Sequence, residues 1–196
     1  MFVKICGLTT PAAVQAAIDN GADAVGFVFA ESPRRTDPEV ARSLCEPVPA
    51  GVMRVAVMRH PSAAEWETVR DVFGPDWLQT DAADLASLEL GPKCAALPVY
   101  RNARPSDEQN WPSPMLFEGM ASGSGRTADW ERAAAIAART NVILAGGLNS
   151  ANVADAIAAV RPWGIDVSSG VESSPGTKDP KKIVEFIARA RAAEKQ

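Results

Sequence analysis

The chain has 196 residues, of which 46% are hydrophobic and 22% are charged, a composition typical of a soluble globular domain with its own core. Its net charge of -4 argues against a nucleic-acid-binding surface, and the sequence shows neither a membrane-spanning apolar run nor a signal peptide. Three widely spaced cysteines favour a reducing cytoplasm over a disulfide framework, and a single histidine argues against a metal site.

Short β-branched runs alternate with alanine-rich runs of helical character along the whole chain. The predicted strands are residues 2–6, 23–29, 51–58, 76–80, 93–99, 115–118, 141–145 and 164–168. The predicted helices are residues 10–20, 37–45, 61–73, 81–88, 129–138, 149–160 and 179 onward, with at most a short helix at 106–110. This alternation predicts a parallel sheet with helical crossovers. Eight units without a linker predict that residues 1–196 form one small (βα)8 TIM barrel with trimmed loops.

The active site of such a barrel lies at the carboxyl-terminal ends of its strands. Cys6 ends the first strand and, by strand alternation, shares its inward face with Lys4. A buried Lys4 ammonium would need a carboxylate partner, either Asp23 or Asp166, and would favour a thiolate at Cys6. An inert buried cysteine is the alternative interpretation. Other polar residues at predicted strand ends are Arg34, Gln79 and Glu118.

Two turns rich in small residues follow the seventh and eighth predicted strands and are candidates for binding a phosphate. Their residues are Gly146, Gly147, Ser168, Ser169 and Gly170. Ordinary turn residues are the alternative interpretation.

A third segment rich in small residues follows the sixth predicted strand, and we predict that it forms a mobile lid. Its residues are Gly123, Ser124, Gly125 and Arg126. The segment lacks the lysine-containing ending of a nucleotide-binding P-loop, so the sequence does not indicate an NTPase.

Six segments carry a family resemblance that extends along nearly the whole chain. They are VKICGLT at 3–9, GADAVGFVF at 21–29, SPRR at 32–35, GSGRTADW at 123–130, LAGGLN at 144–149 and DVSSGVE at 166–172. The chain therefore resembles the phosphoribosylanthranilate isomerases, and the first and last segments are the most specific to that family.

The resemblance implies an enzyme of tryptophan biosynthesis that acts on a small-molecule substrate without metal or organic cofactor. It implies that Cys6 is the general base and that Glu118, where the family has aspartate, is the general acid. It also implies that Arg34 faces the anthranilate carboxylate of the substrate and that Asp166 lies near the anthranilate nitrogen. We add Gln79 as a substrate-binding candidate from its position.

Two departures from the family pattern bear on function. Glu118 is one methylene longer than the family's aspartate, and the loop after it is shorter than usual. We interpret the longer side chain as compensation for the shorter loop, so that the carboxyl group reaches the same place. Residues 79–82 read Gln-Thr-Asp-Ala, where the family has Gln-Leu-His-Gly.

These departures leave open a non-catalytic sugar-phosphate-binding barrel. Two other sugar-phosphate enzymes are disfavoured. A metal-dependent pentose-phosphate epimerase would need several histidines, and this chain has one. An isomerase of the histidine pathway would typically have aspartate at the end of the first strand, where this chain has Cys6. We expect no nucleic-acid or membrane partner, and a monomer or homodimer.

Overall fold

The computed structural model describes residues 1–101, 110–118 and 129–194. Eight parallel strands form a closed barrel in chain order. They are β1 (Phe2–Cys6), β2 (Ala24–Val28), β3 (Met53–Val57), β4 (Trp77–Asp81), β5 (Ala95–Arg101), β6 (Met115–Glu118), β7 (Val142–Ala145) and β8 (Gly164–Val167). The α-helices of the described ranges are α1 (Pro11–Asp19), α2 (Pro38–Leu44), α3 (Ala63–Phe73), α4 (Trp130–Ala137), α5 (Val153–Val160) and α6 (Pro180–Ala193). The predicted TIM-barrel fold is confirmed.

Three connections differ from the predicted pattern. The helix predicted at 81–88 is a single 3-10 turn, Asp84–Ser87, because β4 continues to Asp81. Strand β5 spans Ala95–Arg101 and so continues two residues beyond the predicted end at 99. The loop predicted after β8 contains a 3-10 turn, Ser169–Val171, and an antiparallel hairpin of β9 (Glu172–Ser174) and β10 (Thr177–Lys178).

Local sequence signals account for the starts of two helices, of which α3 begins two residues later than predicted. Thr10 accepts a hydrogen bond from the Ala13 amide at the start of α1, and Pro11 occupies the first helical position. Ser62 and Glu65 form a capping box at the start of α3. No helix in the described part of the chain combines the length and apolar character needed to cross a membrane.

The strand register determines which side chains share the barrel interior. Cα pairing joins Lys4 to Asp166 across β1 and β8, and Arg101 to Glu118 across β5 and β6. Because residues paired across a ladder point to the same face, these four side chains project inward together. An apolar cluster of alternate residues occupies the interior on β5, β6 and β7, with Phe2 and Trp77 packed against it: Leu97, Val99, Leu116, Ile143 and Ala145.

Candidate active site

Cys6 and Lys4 lie side by side in the barrel, as strand alternation predicts. Both are buried, and a methyl group at the opposing Gly26 would lie 3.2 Å from Cys6 Sγ and from Lys4 Cε. Lys4 Nζ donates a hydrogen bond to Asp166 Oδ1 at 2.7 Å, which selects Asp166 over Asp23 as its partner. Asp23 instead accepts a bond from Val3 N and pairs with a helix arginine on the outside of the barrel.

The pKa of Cys6 is subject to opposing effects, one of which is the predicted lowering by Lys4. Burial raises the pKa of Cys6, and the charge of Asp166 raises it further; Lys4 and Lys178 lower it without outweighing burial. Burial lowers the pKa of Lys4, but attraction to Asp166 and Cys6 outweighs burial and raises it overall. Lys4 therefore acts in the expected direction, whereas burial and Asp166 make the net shift of the Cys6 pKa upward.

Glu118 ends β6 on the same cleft as Cys6, and its carboxylate contacts an arginine that the sequence analysis did not single out. Arg101 Nη1 donates to Glu118 Oε2, while Arg101 Nε donates to Asp81 Oδ1 at 2.9 Å. The two departures from the family pattern, at 81 and 118, are thus linked through one side chain.

Arg34 lies on the cleft between Cys6 and the end of β8, held by a bidentate ion pair. Its Nε donates to Glu172 Oε1 at 2.6 Å and its Nη2 to Glu172 Oε2 at 2.9 Å. Lys178 Nζ donates to the same carboxylate at 2.6 Å. Burial opposes ionisation of Glu172, but the bonds from Arg34 and Lys178 outweigh it and lower the pKa of Glu172 to about 2.

Gln79 contributes an uncommitted polar atom to the cleft. The side chain is buried, and its Oε1 has no hydrogen-bond partner among the described residues. A buried acceptor without a donor is costly unless a ligand or water supplies one. The role of Gln79 in substrate binding stays a prediction.

The two predicted phosphate turns pack directly against each other. Gly146 and Gly147 have positive φ values of 97° and 70°, which favour glycine. A methyl group at Gly170 would lie 1.9 Å from the Leu148 carbonyl oxygen, so only glycine allows this approach. Ser168 precedes the 3-10 turn of Ser169 and Gly170.

The helix after the first phosphate turn begins later than predicted. Asn152, rather than residue 149 or 150, is the N-cap of α5. Asn152 Nδ2 donates to the Gly147 carbonyl at 2.9 Å and Oδ1 accepts from Asn149 N at 2.9 Å. The asparagine pair therefore fixes the turn instead of opening the helix directly.

The predicted lid residues, Gly123, Ser124, Gly125 and Arg126, lie outside the described residues. The short helix predicted at 106–110 falls almost entirely outside them as well.

The cleft is small and lies at the carboxyl-terminal ends of the strands. Its volume is about 190 Å³, and its walls include Cys6, Arg34, Gln79, Glu118 and Asp166. Larger cavities of about 530 Å³ and 710 Å³ lie beside residues 89–94 and 154–163. Neither gathers the predicted site residues, so chemistry rather than size identifies the candidate site.

One group of side chains in the described ranges has the spacing of metal ligands. His60, Asp81 and Asp84 bring ligand atoms within 4.8 Å of one another. Their carboxylates already have partners, since Asp84 binds His60 and Thr80, and Asp81 binds Arg101. We assign no metal to this group.

Three site residues escaped the sequence analysis: Arg101, Glu172 and Lys178. Extending the alternation of Leu97 and Val99 by one step would have placed Arg101 on the inward face. Glu172 stands in the family-like segment 166–172 without an assigned role, and Lys178 showed no signal, because it belongs to a hairpin that resembled a loop.

A closed parallel barrel with ionisable side chains gathered at its carboxyl-terminal mouth defines a TIM-barrel enzyme. The thiol and carboxylates at that mouth suit acid–base chemistry on a small molecule.

Comparison with known proteins identifies the family. The family model for N-(5'-phosphoribosyl)anthranilate isomerase matches residues 3–189. The chain is 37% identical to that isomerase of Listeria monocytogenes, with 99% of this chain and all of the relative covered. It is 38% identical to the isomerase of Roseiflexus, with 97% and 98% covered. The chain belongs to the N-(5'-phosphoribosyl)anthranilate isomerase family.

Solved structures agree. The phosphoribosylanthranilate isomerase of Thermus thermophilus superposes with a TM-score of 0.87 at 31% identity, covering 98% of this chain and 99% of that one. A family structure in complex with reduced 1-(o-carboxyphenylamino)-1-deoxyribulose 5-phosphate has a TM-score of 0.82 at 30% identity and the same coverage.

Proposed function

We propose that this chain converts N-(5'-phosphoribosyl)anthranilate to 1-(2-carboxyphenylamino)-1-deoxyribulose 5-phosphate, using Cys6 as base and Glu118 as acid. The observation that carries the proposal is the presence of both side chains on one cleft, beside Arg34 and the two phosphate turns. The reaction is an intramolecular oxidoreduction of the aldose–ketose type. Carbon C2 of the sugar is oxidised and C1 is reduced, so no external redox partner is needed.

The chemistry requires two proton-transfer groups. Glu118 protonates the ribose ring oxygen as the C1–O bond breaks, and the anthranilate nitrogen forms a Schiff base with C1. Cys6, as thiolate, then removes the proton from C2, and the electron pair forms a C1–C2 double bond while neutralising the iminium. The resulting enolamine takes a proton at C1 and loses the enol proton to give the ketone. Positioned acids and bases of this kind contribute roughly 10²–10⁴ each.

The remaining site residues bind the two ends of the substrate. The turns of Gly146–Gly147 and Ser168–Gly170 would hold the phosphate, and Arg34 would face the anthranilate carboxylate. Asp166 would lie near the anthranilate nitrogen, and Gln79 Oε1 would accept a donor from the substrate.

The direct test follows the loss of phosphoribosylanthranilate fluorescence. Cys6→Ala and Glu118→Ala should each lower kcat by roughly 10²–10⁴, whereas Cys94→Ala, far from the cleft, should leave it unchanged. Turnover like that of the unmodified chain in Glu118→Gln would refute the acid assignment. Sugar-phosphate binding without turnover in the unmodified chain would support a non-catalytic binder instead.

We further propose a cytoplasmic location, which the three free cysteines support. The chain is expected to work as a monomer or homodimer, which analytical ultracentrifugation can distinguish.

A further inference from the structure

We infer that Glu172 is a positioning residue that orients Arg34 toward the carboxylate of the substrate, and that Lys178 ties Glu172 to the phosphate turn. The inference rests on the proposed function, which supplies the carboxylate and the phosphate. It assigns a role to the β9–β10 hairpin, which carries both residues.

The ion pair leaves one edge of the Arg34 guanidinium for a ligand. Glu172 occupies the edge formed by Nε and Nη2. A guanidinium has five N–H donors in a planar fork, so the edge formed by Nη1 and the second hydrogen of Nη2 can still meet a carboxylate bidentately. Glu172 thereby determines which way this edge points.

Arg34 is also packed along its aliphatic stem. Gly7 follows Cys6 with a φ of 74°, and a methyl group there would lie 2.7 Å from Arg34 Cδ and 3.2 Å from Ser168 Oγ. The stem of Arg34 therefore packs against the turn after β1, while its guanidinium is held by the hairpin. With both stem and head constrained, the side chain loses little rotamer freedom on binding, which favours affinity.

Lys178 extends the contact to the phosphate turn. Its side chain is fully buried, and Nζ donates to Glu172 Oε1 at 2.6 Å, to the Ser168 carbonyl at 3.0 Å and to Ser168 Oγ at 3.2 Å. One carboxylate thus holds two cations, which leaves a net positive charge for an anionic substrate. Two further bonds anchor Glu172, from Gly176 N at 3.2 Å and, at its own carbonyl, from Lys182 Nζ at 2.7 Å.

The test measures binding of two stable product analogues by calorimetry. The first is reduced 1-(2-carboxyphenylamino)-1-deoxyribulose 5-phosphate, and the second is the same molecule without the ring carboxylate. The unmodified chain should prefer the first. Glu172→Gln should weaken binding of the carboxylate-bearing analogue by roughly tenfold or more, as expected for misaligned charge-assisted hydrogen bonds. It should change the affinity for the analogue without the carboxylate by less than about threefold.

Two variants complete the design. Asp76→Asn removes a bidentate pair of the same geometry with Arg54, at the amino-terminal end of the barrel, and should alter neither affinity. Glu172→Asp keeps the charge and should restore part of the preference; it also serves where Glu172→Gln does not fold.

The outcomes separate the inference from the proposed function. The positioning role is overturned if a folded Glu172 variant keeps the same ratio of affinities for the two analogues, whether or not both bind more weakly. The proposed isomerase activity is unaffected by that result. Equal binding of both analogues by the unmodified chain refutes the role of Arg34 itself, and the inference with it. Absence of turnover in the assay of the unmodified chain, with the preference intact, refutes the reaction and leaves the positioning role standing.

Discussion

Cys6 and Glu118 each lie against charged side chains that bear on the proton transfers of the proposed reaction. Burial raises the pKa of the Cys6 thiol, which opposes formation of the thiolate base, while Arg101 donates a hydrogen bond to the carboxyl group of Glu118. Substrate that engages the cations of the site would change the charges around Cys6, and nearby charges shift the pKa of a thiol.

Lys4 is the residue on which the thiolate of Cys6 depends most directly. We predict that Lys4→Met lowers the thiolate fraction at neutral pH, because the ammonium lowers the pKa of Cys6 against the opposing effect of burial. The expected loss in kcat/KM is largest below the pKa of the thiol and shrinks as the pH approaches it. Alkylation rate against pH, in a Cys45→Ser and Cys94→Ser background, reports Cys6 alone.

The paired variant Lys4→Met with Asp166→Asn controls for the unpaired carboxylate that the single change leaves behind. An alkylation profile of Lys4→Met that coincides with that of the background chain would rule out this role of Lys4. The background itself should retain full turnover, because burial raises the pKa of Cys45 to about 12 and that of Cys94 to about 11.

At the scale of the element, Gly26 on β2 has no side chain and so leaves space for Cys6 and Lys4 on β1. We predict that Gly26→Ala lowers kcat and stability together, since the added methyl lies 3.2 Å from Cys6 Sγ and Lys4 Cε. Overpacking of a barrel interior costs about 1–3 kcal/mol, and a small displacement of a catalytic group can cost roughly 10² in rate. Thermal unfolding and steady-state kinetics measure the two effects.

Gly51→Ala is the matched control, because a methyl group there meets nothing within 4 Å. It should leave both stability and turnover near those of the unmodified chain. Full turnover in Gly26→Ala would show that Cys6 tolerates displacement and would contradict the tight placement of the base.

The alternation of elements was sufficient to predict the barrel, and strand period was sufficient to place Lys4 and Cys6 on its inner face. The partner of Lys4 could not be chosen from sequence, because Asp23 begins the second predicted strand and Asp166 lies within the eighth, and in a closed barrel both strands adjoin the first. The inward position of Arg101 was not predicted, because the proline-rich stretch after it gave no clear signal for where β5 ends. The β9–β10 hairpin escaped because strands of three and two residues are too short to show a period.

At the scale of the whole molecule, ion pairs join distant parts of the chain at both ends of the barrel. Arg34 and Glu172 connect the loop after β2 to the hairpin after β8, and Arg54 and Asp76 connect β3 to the start of β4. Burial opposes ionisation of both carboxylates, but bonds from the arginines outweigh it and lower the pKa of each. Acid should therefore loosen both ends of the barrel.

Glu172 gives this acid sensitivity a defined range. Its pKa is about 2 in the folded protein and near 4.5 when unperturbed, so its contribution to stability is fully present above the higher value. That contribution declines as the pH falls through 4.5 and is lost below about 2, because the unfolded chain binds the proton first. We predict that the free energy of unfolding of Glu172→Gln, measured by denaturant titration, falls less between pH 5 and pH 2 than that of the unmodified chain. Glu185→Gln, which alters an exposed pair with Arg189, is the control, and its free energy of unfolding should fall with pH as steeply as that of the unmodified chain. An equally steep fall in Glu172→Gln would contradict the assignment.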